Sequence, residues 1–169
     1  MKVLEFAMQM ELDGMAYYDK SADQVSQPEI KKILKTLAEE ERRHYNLFKR
    51  MQTSSVREAE RELNASPSAM ASTKNIFQEM VEQKKYATFA NEARQIWIHA
   101  LKLEEKSEKL YRDEAANESD STRKFLLERL ADEEKNHVYL IDNMLSFMAD
   151  PQGFTDSATF KNFRSWEGR

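Results

Sequence analysis

Two glutamate–histidine pairs in this chain carry metal-ligating chemistry: Glu41 with His44, and Glu134 with His137. In each pair the histidine follows by three residues, so on a helix both side chains leave adjacent turns of one face. A carboxylate and an imidazole placed that way can bind one metal together or two neighbouring metals. Each pair sits inside a longer match. The stretches "LAEEERRHYNLFKRM" (37–51) and "LADEEKNHVYLIDNM" (130–144) align at a constant shift of 93 residues. Leu37, Ala38, Glu40, Glu41, His44, Leu47 and Met51 recur as Leu130, Ala131, Glu133, Glu134, His137, Leu140 and Met144. The same shift, without a gap, carries Ala7 to Ala100, Glu11 to Glu104, Tyr18 to Tyr111 and Ala22 to Ala115. A repeated helical hairpin is the simplest account of this register.

The repeated acids lie on apolar stripes. Glu11 follows Ala7 by four residues and precedes Tyr18 by seven, and Glu104 stands in the same relation to Ala100 and Tyr111. Glu41 follows Leu37 by four, as Glu134 follows Leu130. A helix therefore aims each carboxylate the way it aims its apolar neighbours. Buried carboxylates repel one another and each loses hydration worth several kcal/mol, so a cluster of them needs protons, Arg or Lys, or metal. No Lys or Arg shares the inward stripe beside all four acids, whereas His44 and His137 do. Glu39 and Arg42–Arg43 read as a solvated face, and Glu40 recurs as Glu133 without a role.

Helices must position these residues. Periodicity predicts helix A from about Val3 to Val25 and helix B from the "SQPE" capping signal at Ser26–Glu29; the pattern leaves the end of helix B open, with "VREAERELN" able to extend it as far as Asn64 before Ser66-Pro67. A connection over 65–86 holds one short helix around "KNIFQEMVEQ". Helix C runs from about Tyr86 to Ala116 and helix D from about Thr122 to Met148, closed by Asp150-Pro151. The prediction is all-α: a four-helix bundle over residues 1–149, built from two repeated hairpins with a long B–C crossover. Residues 150–169 form an aromatic tail with Phe154, Phe160, Phe163 and Trp166, which docks on the bundle or a sister subunit or else recruits a partner.

The chain of 169 residues suits one domain, and its three Gly, three Pro and 33% charged residues favour long helices. A net charge of −4 without a basic stripe argues against nucleic acid as a partner. The lack of cysteine excludes disulfides, zinc–thiolate sites and iron–sulfur clusters within these residues and fits a reducing compartment. The opening residues enter an amphipathic pattern without a signal-peptide apolar core, and no stretch suits a membrane span, so a cytoplasmic protein is expected.

At Glu11, Glu41–His44, Glu104 and Glu134–His137 the sequence resembles the ferritin-like di-iron carboxylate proteins, whose sites take a Glu from each of two helices and Glu-x-x-His from each of the other two. Within them, "MELDGMAYYDKSA" followed by "LAEEERRH" most resembles the rubrerythrin branch, and the likeness extends over residues 3–148. The resemblance implies two iron ions, with Mn or Zn as possible substitutes. It implies that Glu41 and Glu134 bridge them, that Glu11 and Glu104 are terminal ligands, and that His44 and His137 each ligate one. It also implies that Tyr18 and Tyr111 hydrogen-bond to the ligand carboxylates. Four carboxylates cancel the charge of two ferrous ions, which suits a desolvated site.

The activity implied is reduction of hydrogen peroxide or dioxygen in a homodimer or higher homo-oligomer. Two departures bear on it. Rubrerythrins usually carry a further glutamate three residues after the helix C ligand, where this chain has Ser107, with Glu108 one position on. Many also append a cysteine-rich rubredoxin domain, so this chain needs an external electron donor such as a rubredoxin-type protein. The symmetric six-ligand set equally fits a ferroxidase that oxidises Fe(II) for storage. Beyond the ligands, Gly14 sits mid-helix three residues after Glu11, where it serves close packing or access to the site or is simply tolerated. His99 lies five residues before Glu104 and belongs to another face, and the nine methionines read as core filler.

Overall fold

Helix-favouring residues with few Gly or Pro leave the backbone one satisfactory way to pair its polar groups over long stretches. A computed structural model describes residues 2–53, 56–65, 68–83 and 91–167, and among them the regular elements are helices, with no strand. In chain order they are α1 (Lys2–Gln24), α2 (Pro28–Thr53), α3 (Val56–Ala65), α4 (Met70–Glu82), α5 (Asn91–Asn117), α6 (Ser121–Ala149), α7 (Pro151–Asp156) and α8 (Ala158–Ser165). The predicted helices A to D are α1, α2, α5 and α6.

Short turns fold α1 on α2 and α5 on α6 as two hairpins, and these pack into the expected four-helix bundle. Helix α2 opens at Pro28, where a missing N–H costs nothing, and the Gln27 carbonyl accepts from Lys31 N at 2.9 Å, so the flanking residue is Gln27 rather than Ser26. Asp120 caps α6 by accepting from Arg123 N at 2.8 Å. The sequence reading left the end of helix B open as far as Asn64; α2 runs to Thr53 and α3 begins at Val56, and residues 54 and 55 lie outside the described residues. The predicted start of helix C at Tyr86 and the Ser66-Pro67 stop lie outside the described residues.

The core divides into two apolar clusters along the bundle. One gathers Tyr18, Ile30 to Ala38, Ile96 to Ala100 and Leu140 to Phe147. The other gathers Ala7, Leu47 to Met51, Tyr111, Ala115 and Leu126 to Ala131. On every bundle helix the repeated Glu and His positions fall between the two, so the polar cluster occupies the waist of the molecule. Different elements cover the two ends. Ala59 and Leu63 of α3 complete the second cluster, while α4 and the tail complete the first.

The tail folds back. Asp150 ends α6 and caps α7, accepting from Gly153 N at 3.0 Å. A Cβ at residue 153 would collide with that carboxylate, so a side chain there would displace the Asp150 cap. Phe154, Phe160 and Phe163 are buried: Phe154 packs on Phe77 and Phe147, Phe163 on Phe77, and Phe160 on Phe154. Lys74 of α4, itself buried, donates from Nζ to the Arg164 carbonyl at 2.8 Å and to the Trp166 carbonyl, closing the end of α8. Hydrogen bonds to a charged donor are each worth about 1.5–3 kcal/mol. Lys74→Met, which keeps the bulk, is expected to lower unfolding free energy by about that amount with metal content intact. A denaturant melt checks it; an unchanged midpoint would contradict the role given to Lys74.

Candidate metal centre

The bundle brings Glu11 of α1, Glu41 and His44 of α2, Glu104 of α5, and Glu134 and His137 of α6 into one buried cluster, each at most 3% exposed. Glu11, Glu41, His44 and Glu134 form one group whose ligand atoms lie within 4.8 Å of one another, and Glu41, Glu104, Glu134 and His137 form another. Glu41 and Glu134 belong to both. The imidazoles lie nearly parallel, with centroids 5.7 Å apart and an interplanar angle of 16°. Each turns its Nδ1 to the acids. His44 Nδ1 is 2.9 Å from Glu134 Oε1 and 3.7 Å from Glu11 Oε2. His137 Nδ1 is 3.1 Å from Glu134 Oε2, 3.2 Å from Glu104 Oε2 and 3.4 Å from Glu41 Oε1.

Many of these distances are ion-pair contacts without hydrogen-bond geometry. Glu11 Oε2, Glu41 Oε1, both Glu134 oxygens and His44 Nδ1 are buried without a hydrogen-bond partner. Buried polar atoms are otherwise almost always satisfied, so five converging on one spot point to a ligand that none supplies to another. Hard carboxylate oxygens with two imidazoles suit a divalent first-row metal such as iron, manganese or zinc. The donor set therefore fits a pair of metal ions.

The electrostatics say the same. Burial, then the charges of Glu104 and Glu11, pushes Glu41 well above the usual carboxylate range. Burial, then Glu41, pushes Glu134 up to about 7. Burial alone would depress both histidines, but Glu134 and Glu11 around His44, and Glu104 around His137, raise them well above their ordinary value. Burial opposes ionisation of Glu104, yet the charge and hydrogen bond of His137 hold it below the ordinary value. Without metal, protons neutralise the cluster, and metal must displace them.

Two tyrosines cross between the halves. Tyr18 of α1 donates to Glu104 Oε1 on α5, and Tyr111 of α5 donates to Glu11 Oε1 on α1. Both rings are fully buried, and burial with the neighbouring carboxylates raises both hydroxyls well above their usual range, so each keeps its proton and remains a donor.

One set of partners escaped the sequence reading. His44 Nε2 pairs with Glu133 Oε2 at 3.0 Å, and the Arg43 guanidinium donates to Glu133 and, at 3.2 Å, to Glu40 Oε2. Arg43 is therefore no part of a solvated face; its side chain is only 13% exposed. Burial would raise Glu133, but His44 and Arg43 pull it down to about 2. Glu40, Glu133 and His44 also converge closely enough to hold a cation, and the Arg43 guanidinium already supplies one there. The repeat is not kept at this level. Glu40 turns to Ala69 N at 3.1 Å instead of His137, whose Nε2 is buried without a partner. The one available signal was the recurrence of Glu40 as Glu133.

Other expectations fall outside the cluster. His99 is exposed and stacks on Tyr17 with centroids 4.6 Å apart. Glu108 pairs with Arg112 at 2.9 Å. Ser107 is buried and lines a void of about 60 Å³ beside Glu41 and Glu104. No described helix is long and apolar enough to cross a membrane.

Comparison with known proteins gives one finding. A family model described as Rubrerythrin matches residues 2–145, which takes in all four bundle helices up to Leu145. No curated protein and no solved structure matches the chain.

Proposed function

The chain belongs to the rubrerythrin family, and from that premise we propose that it is a non-haem di-iron oxidoreductase that reduces hydrogen peroxide or dioxygen. For peroxide the balance is H2O2 + 2 e⁻ + 2 H⁺ → 2 H2O, with the electrons supplied by an external one-electron carrier such as a rubredoxin-type protein. The observation that carries the reading is the pair of four-residue groups sharing Glu41 and Glu134. We assign Glu11, Glu41, His44 and Glu134 to one metal and Glu41, Glu104, Glu134 and His137 to the other. An iron pair held by these six residues would supply two-electron redox chemistry.

The protein's own groups do the rest. Glu41 and Glu134, which belong to both groups, would supply charge to both metals. Tyr18 and Tyr111 fix Glu104 and Glu11 by donating to one oxygen of each, which leaves the other oxygen for metal. With metal bound, Glu133 would accept from His44 Nε2 and so leave the Nδ1 lone pair for the metal. The apolar clusters on either side keep bulk water away. The same donor set also suits a ferroxidase, and a homo-oligomer in the cytoplasm is part of the proposal.

Metal analysis of anaerobically purified protein tests the reading. About two metals per chain are expected, and fewer than about one, with none taken up on adding Fe(II), would end it. Reacting the ferrous protein separately with peroxide and oxygen then separates the activities. Faster oxidation by peroxide supports the reductase, and repeated turnover of excess Fe(II) by oxygen supports the ferroxidase.

A further inference from the structure

His44 has polar partners on two sides. Its Nδ1 faces Glu134 and Glu11, and its Nε2 faces Glu133. Around Nε2 stand Glu40, Glu133 and Arg43, whose side chains are at most 13% exposed. Glu40, His44 and Glu133 each offer one ligand atom within 4.8 Å of the others, the same closeness that marks the two groups of the centre. Two carboxylates and an imidazole suit a divalent first-row ion, and the two negative charges cancel its charge.

The position already attracts a cation. Arg43 donates from Nη2 to both acids. Its Nε and Nη1 are buried and, among the described residues, have no hydrogen-bond partner. A guanidinium normally meets carboxylates through a fork of parallel bonds, and buried polar atoms are almost always paired. Arg43 thus holds the place through Nη2 alone. Its long side chain, still partly exposed, can carry the charged head out to water. A second group is unmatched nearby. His137 Nε2 is fully buried without a partner, and the charges of His137 and His44 both act on Glu40. His44 links the outer position to the centre. A neutral imidazole has one lone pair and one N–H. His44 can therefore serve Glu40 and Glu133 through Nε2, or Glu11 and Glu134 through Nδ1, but not both at once. Filling the centre puts the proton on Nε2, where Glu133 accepts it, and the outer position loses a donor.

We propose that Glu40, Glu133 and His44 Nε2 form an entry site, which holds a divalent metal ion on its way into the centre and from which the ion displaces Arg43. This rests on the reading of the waist as a two-metal centre. The ion meets the two outer carboxylates, Arg43 turns outward, and His44 binds through Nε2. The ion then passes the ring to Glu11 and Glu134, the proton returns to Nε2, and Arg43 closes over the acids again. The route is one-sided, because the repeat places Asn136 where Arg43 would recur.

The test uses the full metal-free chain and Co(II), whose absorption in stopped flow reports filling of the centre. Glu40→Gln keeps the shape of the side chain and an oxygen for Ala69 N, but removes one outer charge. It is expected to reach the parent's final absorbance about tenfold more slowly, the scale on which a charged cleft raises the on-rate of a counter-ion. Arg43→Met removes the competing cation and fills faster than the parent, whereas Arg43→Lys, which keeps the charge, does not. Crystals of metal-free Arg43→Met exposed briefly to Co(II) are expected to show the ion between Glu40 and Glu133 before the centre is full. Uptake at the parent's rate in both Glu40→Gln and Arg43→Met would overturn the entry site and leave the two-metal centre intact. If Arg43→Met does not fold, the rate of Glu40→Gln decides alone. Failure of the parent to take up Co(II) would sink both.

Discussion

Replacing Glu134 by glutamine is expected to yield a folded protein that binds fewer than two metals per chain and, without metal, is more stable than its parent at neutral and alkaline pH. Glu134 belongs to both ligand groups, and neither of its oxygens has a hydrogen-bond partner. A neutral amide of the same shape removes the charge that both metals would share. It also removes the cost of ionising a fully buried carboxyl among Glu41 and Glu104, which is of order several kcal/mol after relaxation. The direction with pH follows from the raised pKa. Glu134 moves from 4.5 in the unfolded chain to about 7 in the folded one, so its stabilising contribution is complete below pH 4.5 and gone once pH passes 7. Glu41, His44 and His137 are raised as well and act with the same sign.

The metal-free parent should therefore lose stability as pH rises from about 4.5 to above 7, and the glutamine variant should lose less. Each kcal/mol is worth about 2–4 °C in a chain of this size. The metal-loaded parent should show the opposite trend, because ligands must shed protons to bind. Elemental analysis and thermal melts at pH 5 and pH 8 decide the matter. A variant that still holds two metals, or whose metal-free form melts below the parent at pH 8, would remove Glu134 from its assigned place.

The second large effect concerns the two histidines, which the repeat makes equivalent and the structure does not. His44 is braced by Glu133, and Glu133 by Arg43, whereas His137 Nε2 has no partner and Glu40 faces the crossover. Removing the group that orients a metal-binding histidine lowers affinity by about 10–100-fold. Glu133→Leu is expected to weaken one of the two metals by about that factor, while Glu40→Leu changes metal affinity far less and mainly loosens the crossover. Competition against a chelator, resolved into two binding steps, measures it. Equal losses in both variants would mean that the bracing of His44 does not distinguish the two positions.

The six clustered residues were legible because they are three positions, each placed on an apolar stripe twice at a constant shift of 93 residues. Periodicity tells which face a residue shares, and so it located the acids and histidines on α1, α2, α5 and α6. It does not tell which residue of another helix stands opposite. Tyr18 and Tyr111 illustrate this. Seven residues along a helix span about 10 Å, so neither tyrosine can reach the glutamate of its own helix. Each reaches the glutamate of the other hairpin instead, a contact that exists only once α1 faces α5. Arg43 was misplaced for the same reason. Within α2 it belongs to a charged run, and only α6 brings Glu133 beside it. For the tail, aromatic spacing suited either this bundle or a foreign surface, and the Lys74 contacts that hold α8 join residues about 90 positions apart in the chain.

The crossed tyrosines have a consequence for how the molecule is put together. Each hairpin owns half of the donors and holds the other hairpin's terminal acid in place, so neither half is complete alone. In that respect the chain is a dimer whose subunits have been tethered. The B–C crossover replaces a concentration-dependent association with an intramolecular one, and the effective concentration of one half for the other no longer depends on expression level. Tethering also frees the halves from identity. A symmetric dimer would have to place the same residue at positions 43 and 136, whereas here Arg43 is set against Asn136 and only one histidine is braced. Two copies of either hairpin could rebuild the acids and imidazoles, but not that difference between them.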